Sequence, residues 1–159
     1  MTTLLTISTA AALALLIVSV SENGGVPVSL SATYYELGSD GWIFQALLAM
    51  VSLSLLPVWI GGSSEGHEWL AFLACASLLF VASAPAFRLE LEGKVHYTSA
   101  AVCCICASWW QIAEGMWDTL LFFAFLFGMV AMGWKKQWCW WLECAVILSV
   151  YTNLFRLTL

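Results

Sequence analysis

The side chains that could bind a ligand are few in this sequence, and most of them fall near one predicted end of its apolar segments. Hydroxyls alternate from Ser29 to Thr33, and this alternation could place them on one side of an extended stretch. His96 opens a later segment, and Glu143 lies about one turn inside the last segment. We therefore predict a ligand-binding cluster of eight residues: Ser29, Ser31, Thr33, Tyr34, Glu36, His96, Tyr97 and Glu143.

Two kinds of chemistry are open to this cluster. His96 could act as a base beside Ser29 or Ser31, with Glu36 or Glu143 orienting the imidazole, as in serine hydrolases. The serines lack a nucleophile-elbow pattern such as G-x-S-x-G, so no catalytic residue is assigned. The alternative is a binding site in which the same groups donate and accept hydrogen bonds without turnover.

Glu143 has both a functional and a structural interpretation. An ionisable group at membrane depth is costly and often marks a functional site. Glu143 could equally pair with Lys135 or Lys136, a few residues earlier in the chain. His96 could likewise be a hydrogen-bonded packing residue.

Metal chemistry is not expected, and no cofactor is predicted. Catalytic zinc usually takes three protein ligands, whereas the two histidines, His67 and His96, fall on opposite predicted faces. Glu114 and Asp118 are spaced one helical turn apart and are expected to form a hydrated acidic rim. The six cysteines lie in or beside apolar segments and are interpreted as packing residues.

The composition indicates how these residues must be positioned. The chain is 62% hydrophobic and 9% charged, with a mean hydropathy of +0.91, whereas soluble domains carry about 25% charged residues. Backbone polar groups in lipid must form hydrogen bonds within the protein, so continuous apolar runs are expected to fold as helices. We predict an all-α polytopic transmembrane bundle of about six helices forming one integral-membrane domain, 1–159. The predicted spans are residues 4–20, 42–60, 68–86, 95–111, 117–134 and 139–155.

Basic residues predict the orientation of this bundle. Arg88, Lys94, Lys135 and Lys136 fall on one side, and Arg156 falls on the other. The positive-inside rule then places both termini outward, in a membrane of the bacterial inner (cytoplasmic) type. The net charge of −5 offers no basic patch for nucleic acid, which is excluded as a partner.

Two motifs carry a resemblance to known proteins. Residues 27–35 read PVSLSATYY, and residues 80–87 read FVASAPAF before the Lys94-Val95-His96-Tyr97 stretch. They resemble a group of uncharacterised small bacterial six-helix membrane proteins and, more distantly, the DRAM/FRAG-type proteins. Those proteins also have a Ser/Thr-rich motif after the first helix and a histidine opening the fourth. The resemblance implies the architecture and no specific activity.

The sequence thus predicts a membrane protein that uses its polar cluster to bind a lipid or a membrane-protein partner. Two alternatives remain. The first is a channel or transporter formed by homo-oligomers, with a pore lined by serines such as Ser52, Ser54 or Ser77. The second is a membrane-embedded lipid hydrolase that uses serine and histidine.

Overall fold

The protein folds into helices throughout the part of the chain that the structure, a computed structural model, describes: residues 1–84 and 89–158. No strand occurs in these two ranges, so the predicted all-α class is confirmed. The α-helices within them are α1 (Thr2–Glu22), α2 (Ala32–Glu36), α3 (Trp42–Gly61), α4 (Glu68–Ser83), α5 (Leu89–Ala113), α6 (Trp117–Gly133) and α7 (Trp138–Thr158).

The six long helices cover the six apolar segments of the sequence, with two differences at their ends. Helix α5 begins at Leu89 rather than near residue 95, because Leu, Glu and Lys are good helix formers that extend the helix beyond its apolar part. Helix α4 ends at Ser83, whereas the third predicted span continues to residue 86. Pro85 and Ala86, the last residues of that span, and Arg88 lie outside the described residues.

Contacts near the helix ends define the two ends of the bundle. At the end that we call the Met1 end, the Met1 side chain packs closely on Gly61, and a Cβ atom added to Gly61 would lie 3.2 Å from Met1 Cε. The segment 62–67, the segment 114–116 and the last turn of α7 lie at this same end. The opposite end, called the Leu30 end, carries the connection 23–41 and the segment 134–137.

Neighbouring helices pack mostly in chain order. Helix α3 lies between α1 and α4, α4 packs on α5, and α6 packs on α7, which also contacts α5. One core cluster, around Trp59 and Trp110, lies toward the Met1 end. A second, around Leu30, Phe44 and Trp140, lies toward the Leu30 end. The cysteines, packing residues in our interpretation, are free thiols, and Cys75, Cys106 and Cys144 are buried.

Two stretches in the described part of the chain are long and apolar enough to cross a membrane: Thr2–Glu22 and Gly38–Gly61. Helices α4 and α6 are apolar but shorter. Helix α6 is the least buried of the long helices, because Thr119 is its one buried residue. Its large side chains are exposed instead, with Phe125 71% and Met132 63% accessible.

Candidate functional site

The connection between α1 and α3 is a folded segment rather than the extended stretch predicted from its alternating hydroxyls. Backbone hydrogen bonds join Ala32 to Ser29 and Thr33 to Leu30, and they lead directly into α2. The prediction of three hydroxyls on one side is therefore wrong. The Ser29 and Ser31 hydroxyls lie 3.1 Å apart, but the turn directs the Thr33 hydroxyl away from them, to Ser19 on α1.

Two contacts of α2 hold this segment against the bundle. The Thr33 hydroxyl donates to Ser19 Oγ of α1 over 2.8 Å, and both residues are fully buried. The Tyr34 ring packs edge-on against Phe44, with ring centroids 6.3 Å apart. It also covers Gly41, where an added Cβ would lie 2.7 Å from the tyrosine ring. Thr33 and Tyr34 thus hold the segment against α1 and α3.

Glu143 ties the same segment to α7. Its Oε2 atom accepts a hydrogen bond from the Leu30 backbone N–H over 2.7 Å. The Cys139 thiol, one turn earlier, donates a second hydrogen bond to this carboxylate. Lys135 and Lys136 are exposed, and among the described residues neither forms an ion pair with Glu143. The predicted lysine partner is therefore wrong, because a nearer backbone amide takes its place.

Three of the predicted residues meet in one place. Ser31, His96 and Glu143 line a partly open cleft of about 80 Å³, which is bounded by the α2 segment and by α3, α4, α5 and α7. The Ser31 hydroxyl lies 3.1 Å from that of Ser29. The half-buried His96 ring contacts Tyr97 edge-on. The rest of the cleft wall is apolar apart from the thiols of Cys103 and Cys104.

The remaining predicted residues do not line this cleft. Glu36 is exposed at the end of α2, and Tyr97 is 76% exposed on the outside of α5. Ser29 reaches the cleft only through its contact with Ser31. The cluster of eight therefore divides into three lining residues, three supporting residues and two exposed ones.

A second partly open space, which sequence reasoning missed, lies nearer the Met1 end, and we call it the inner cavity. It also measures about 80 Å³, its accessible wall is entirely apolar, and it extends to Trp59 and Tyr151. Six residues line both spaces: Leu30, Leu48, Leu78, Cys103, Val146 and Ile147. The Tyr151 hydroxyl is satisfied by Ser8 on α1, so it adds no polar group to the cavity. Apolar residues carry no signal that separates a cavity wall from ordinary core.

The Met1 end contains a different polar cluster. Glu114 hydrogen-bonds to the Ser64 backbone N–H over 2.8 Å and to the Ser64 hydroxyl over 2.6 Å. Its Oε1 atom lies 3.2 Å from His67 Nδ1. Burial raises the pKa of the Glu114 carboxyl, but these hydrogen bonds outweigh it and hold that pKa below its usual value. The Glu114 side chain is only 8% exposed, so the predicted hydrated acidic rim is wrong for this residue.

A buried amide pair continues this cluster toward the core. Asn153 Nδ2 donates to Gln111 Oε1 over 3.0 Å, and both side chains are fully buried. Arg156 then bonds to Thr119 over 2.9 Å and pairs with Asp118 over 3.5 Å. Within residues 1–84 and 89–158, no group of three or more acidic, histidine or cysteine side chains is arranged to hold a metal ion.

Comparison with protein-family models, with curated proteins and with solved structures finds no match to this chain. Ser31, His96 and Glu143 place a hydroxyl, an imidazole and a carboxyl around one cleft, which shares six wall residues with the apolar cavity.

Proposed function

We propose that this protein is a small integral membrane protein that binds a lipid at the Ser31–His96–Glu143 cleft. The observation that carries the proposal is that the two spaces share part of their walls. A polar mouth shares six wall residues with an entirely apolar interior, and this is the profile of a site for an amphiphile. Small-molecule sites typically combine apolar walls with a few placed polar groups.

Exposure of apolar side chains supports the membrane part of this proposal. The core helix of a soluble protein can also be long and apolar, but such a helix is mostly buried. The two long apolar stretches of this protein are only 33% and 44% buried. Ile17 on α1 is 66% exposed, and Leu53 on α3 is 61% exposed. Soluble monomers rarely expose apolar patches larger than a few hundred Å². Lipid contact is the simplest physical account of these surfaces.

Charge distribution supports the predicted orientation, with both termini outward from a membrane of the bacterial inner type. Lys94, Lys135 and Lys136 are all exposed at the Leu30 end. Arg156, the basic residue at the Met1 end, pairs with Asp118. The described residues thus include three lysines at the Leu30 end and one arginine at the Met1 end, which is the asymmetry that the positive-inside rule uses. The cleft would then face the cytoplasmic side.

The two alternative functions receive less support from the contacts. Ser52, Ser54 and Ser77 are buried within the protomer, and Ser52 donates to the Cys75 carbonyl over 2.7 Å. They are therefore poor candidates for the wall of a pore between protomers. For a hydrolase, the acid should orient the imidazole, whereas Glu143 receives a backbone N–H and a thiol.

Retention of native lipid by purified variants tests the proposal. The protein is purified in a mild detergent, and bound lipid is quantified by native mass spectrometry. His96→Ala should reduce retained lipid about tenfold, equivalent to about 1.4 kcal/mol, because it removes a polar group from the cleft. The matched control is His67→Ala, which alters the only other histidine at the opposite end and should retain lipid like the wild type.

Two results would contradict lipid binding at the cleft. One is a wild-type protein that retains no lipid under conditions in which it remains folded by circular dichroism. The other is equal loss of lipid in both histidine variants, since binding would then not depend on the cleft. Extraction of the wild type from membranes by alkaline carbonate would contradict the membrane assignment.

A further inference from the structure

The size of the two spaces limits the ligand. The cleft and the inner cavity each measure about 80 Å³. They share wall residues such as Leu30, Cys103 and Ile147. Small spaces that share part of one wall favour a ligand with one alkyl chain over a ligand with two chains side by side.

The charge of the cleft limits the head group. Among the wall residues that the structure describes, Glu143 is the one carboxylate, and none is a lysine or an arginine. Lys94 lies two residues before His96, but its side chain is exposed and is not part of the wall. The one possible cation among the described wall residues is the His96 imidazole, whereas the Glu143 carboxylate would repel a phosphate or carboxylate head group and attract an ammonium.

We propose, building on the lipid-binding function above, that the ligand is a single-chain amphiphile with a primary amine head group. An ammonium carries three N–H donors, and the Glu143 carboxylate and Ser31 hydroxyl supply acceptor oxygens in the cleft. Hydrogen bonds between ions of opposite charge are stronger than neutral ones. The chain extends past Leu30 and Cys103 into the inner cavity, toward Trp59 and Tyr151.

Competition between head groups tests this assignment. Lipid-depleted protein in an uncharged sugar detergent is titrated with an alkylamine, an alkyl alcohol and a fatty acid of equal chain length, and with a two-chain phospholipid. The amine should bind about tenfold more tightly than the alcohol, with the fatty acid and the phospholipid weakest. Glu143→Gln should remove the preference of amine over alcohol, because the amide keeps an acceptor and loses the charge.

The position of the tail has its own pair of variants. Ala12→Phe adds a ring to the wall of the inner cavity and should abolish amine binding. Ala14→Phe places the same ring on the same helix away from both spaces, so binding should be retained. Circular dichroism and unfolding temperature establish that both variants fold. Loss of binding in both variants, or in neither, would contradict the path through the inner cavity.

Failure of this inference is distinguishable from failure of the proposed function. Tighter binding of the fatty acid or of the two-chain phospholipid than of the amine would overturn the amine assignment, while lipid binding itself would stand. Persistence of the amine preference in a folded Glu143→Gln variant would overturn the role of Glu143. Absence of binding by all four probes, with no native lipid retained, would overturn both proposals.

Discussion

The two ends of the bundle have similar residue types but use them in opposite ways. At the Met1 end, polar side chains bond to one another between connections, as in the Ser64–Glu114 pair, and between helices, as in the Gln111–Asn153 pair. At the Leu30 end, Ser31, His96 and Glu143 surround a cleft. The Met1-end groups bond to one another, whereas the Leu30-end groups line a space, although Glu143 also bonds to the Leu30 N–H. Under our proposal, the Met1 end holds the helices together and the ligand enters at the Leu30 end.

The largest expected effect tests the stabilising role of the Met1 end. Trp110 is fully buried, packs edge-on against Trp59 at 5.3 Å and donates to the Ser63 hydroxyl over 2.8 Å. Trp110→Ala should reduce the free energy of unfolding by about 3–5 kcal/mol, the usual cost of removing a buried aromatic ring. Reversible unfolding in detergent measures this change.

Trp109 provides the matched control for that experiment. It precedes Trp110 in the chain but is 58% exposed. Trp109→Ala should change stability by no more than about 0.5 kcal/mol, as expected for an exposed position. Equal losses in the two variants would mean that burial at the Met1 end does not determine the stability of the bundle.

A smaller and more local effect is expected at the Leu30 end. Glu143→Ala removes the acceptor of the Leu30 N–H, and hydrogen bonds to charged groups contribute about 1.5–3 kcal/mol. Exchange of the Leu30 amide hydrogen should therefore accelerate about tenfold or more, measured by hydrogen–deuterium exchange. Amides of α5 near Trp110 should keep their protection.

Glu36→Ala is the control for this prediction, because Glu36 lies in the same segment with its side chain exposed. It should leave the exchange of the Leu30 amide unchanged. If Glu143→Ala instead accelerates exchange equally at both ends, the Leu30 end is part of the same cooperative unit and the distinction between the ends is lost.

The smallest expected effect is the pH dependence contributed by Glu114. Its hydrogen bonds with Ser64 and His67 hold the pKa of the carboxyl below its usual value in the folded protein. The resulting stability is present above the unfolded pKa of about 4.3 and is lost as pH falls through the lower folded pKa. Unfolding temperatures measured from neutral pH down through this range should fall less steeply in Glu114→Gln than in wild type.

Glu65→Gln is the comparison variant, since Glu65 is exposed in the same loop region. Its unfolding temperature should follow the wild-type pH dependence. A Glu114→Gln variant with the wild-type pH dependence would show that the Glu114 cluster does not contribute to holding the Met1 end closed.

Part of the site could be predicted from sequence, and part could not. The polar character of Ser31, His96 and Glu143 was visible because hydroxyl, imidazole and carboxylate groups are rare among long apolar runs. The bond from Leu30 N–H to Glu143 was not predictable, since every residue but proline has a backbone N–H. The inner cavity was hidden for a related reason. Leu48 and Val150 line it, but residues of the same types also fill solid core.

The sequence by itself determined the helices and their approximate ends, because continuous apolar runs and helix propensity act over neighbouring residues. Only the tertiary structure decided which side chains face inward. Trp109 and Trp110 are identical in type and adjacent in the chain, yet one is 58% exposed and the other fully buried. A rotation of about 100° per residue separates them, and the direction that faces the core depends on how the helices pack. The same rotation directs Glu143 to Leu30 rather than to the lysines that precede it.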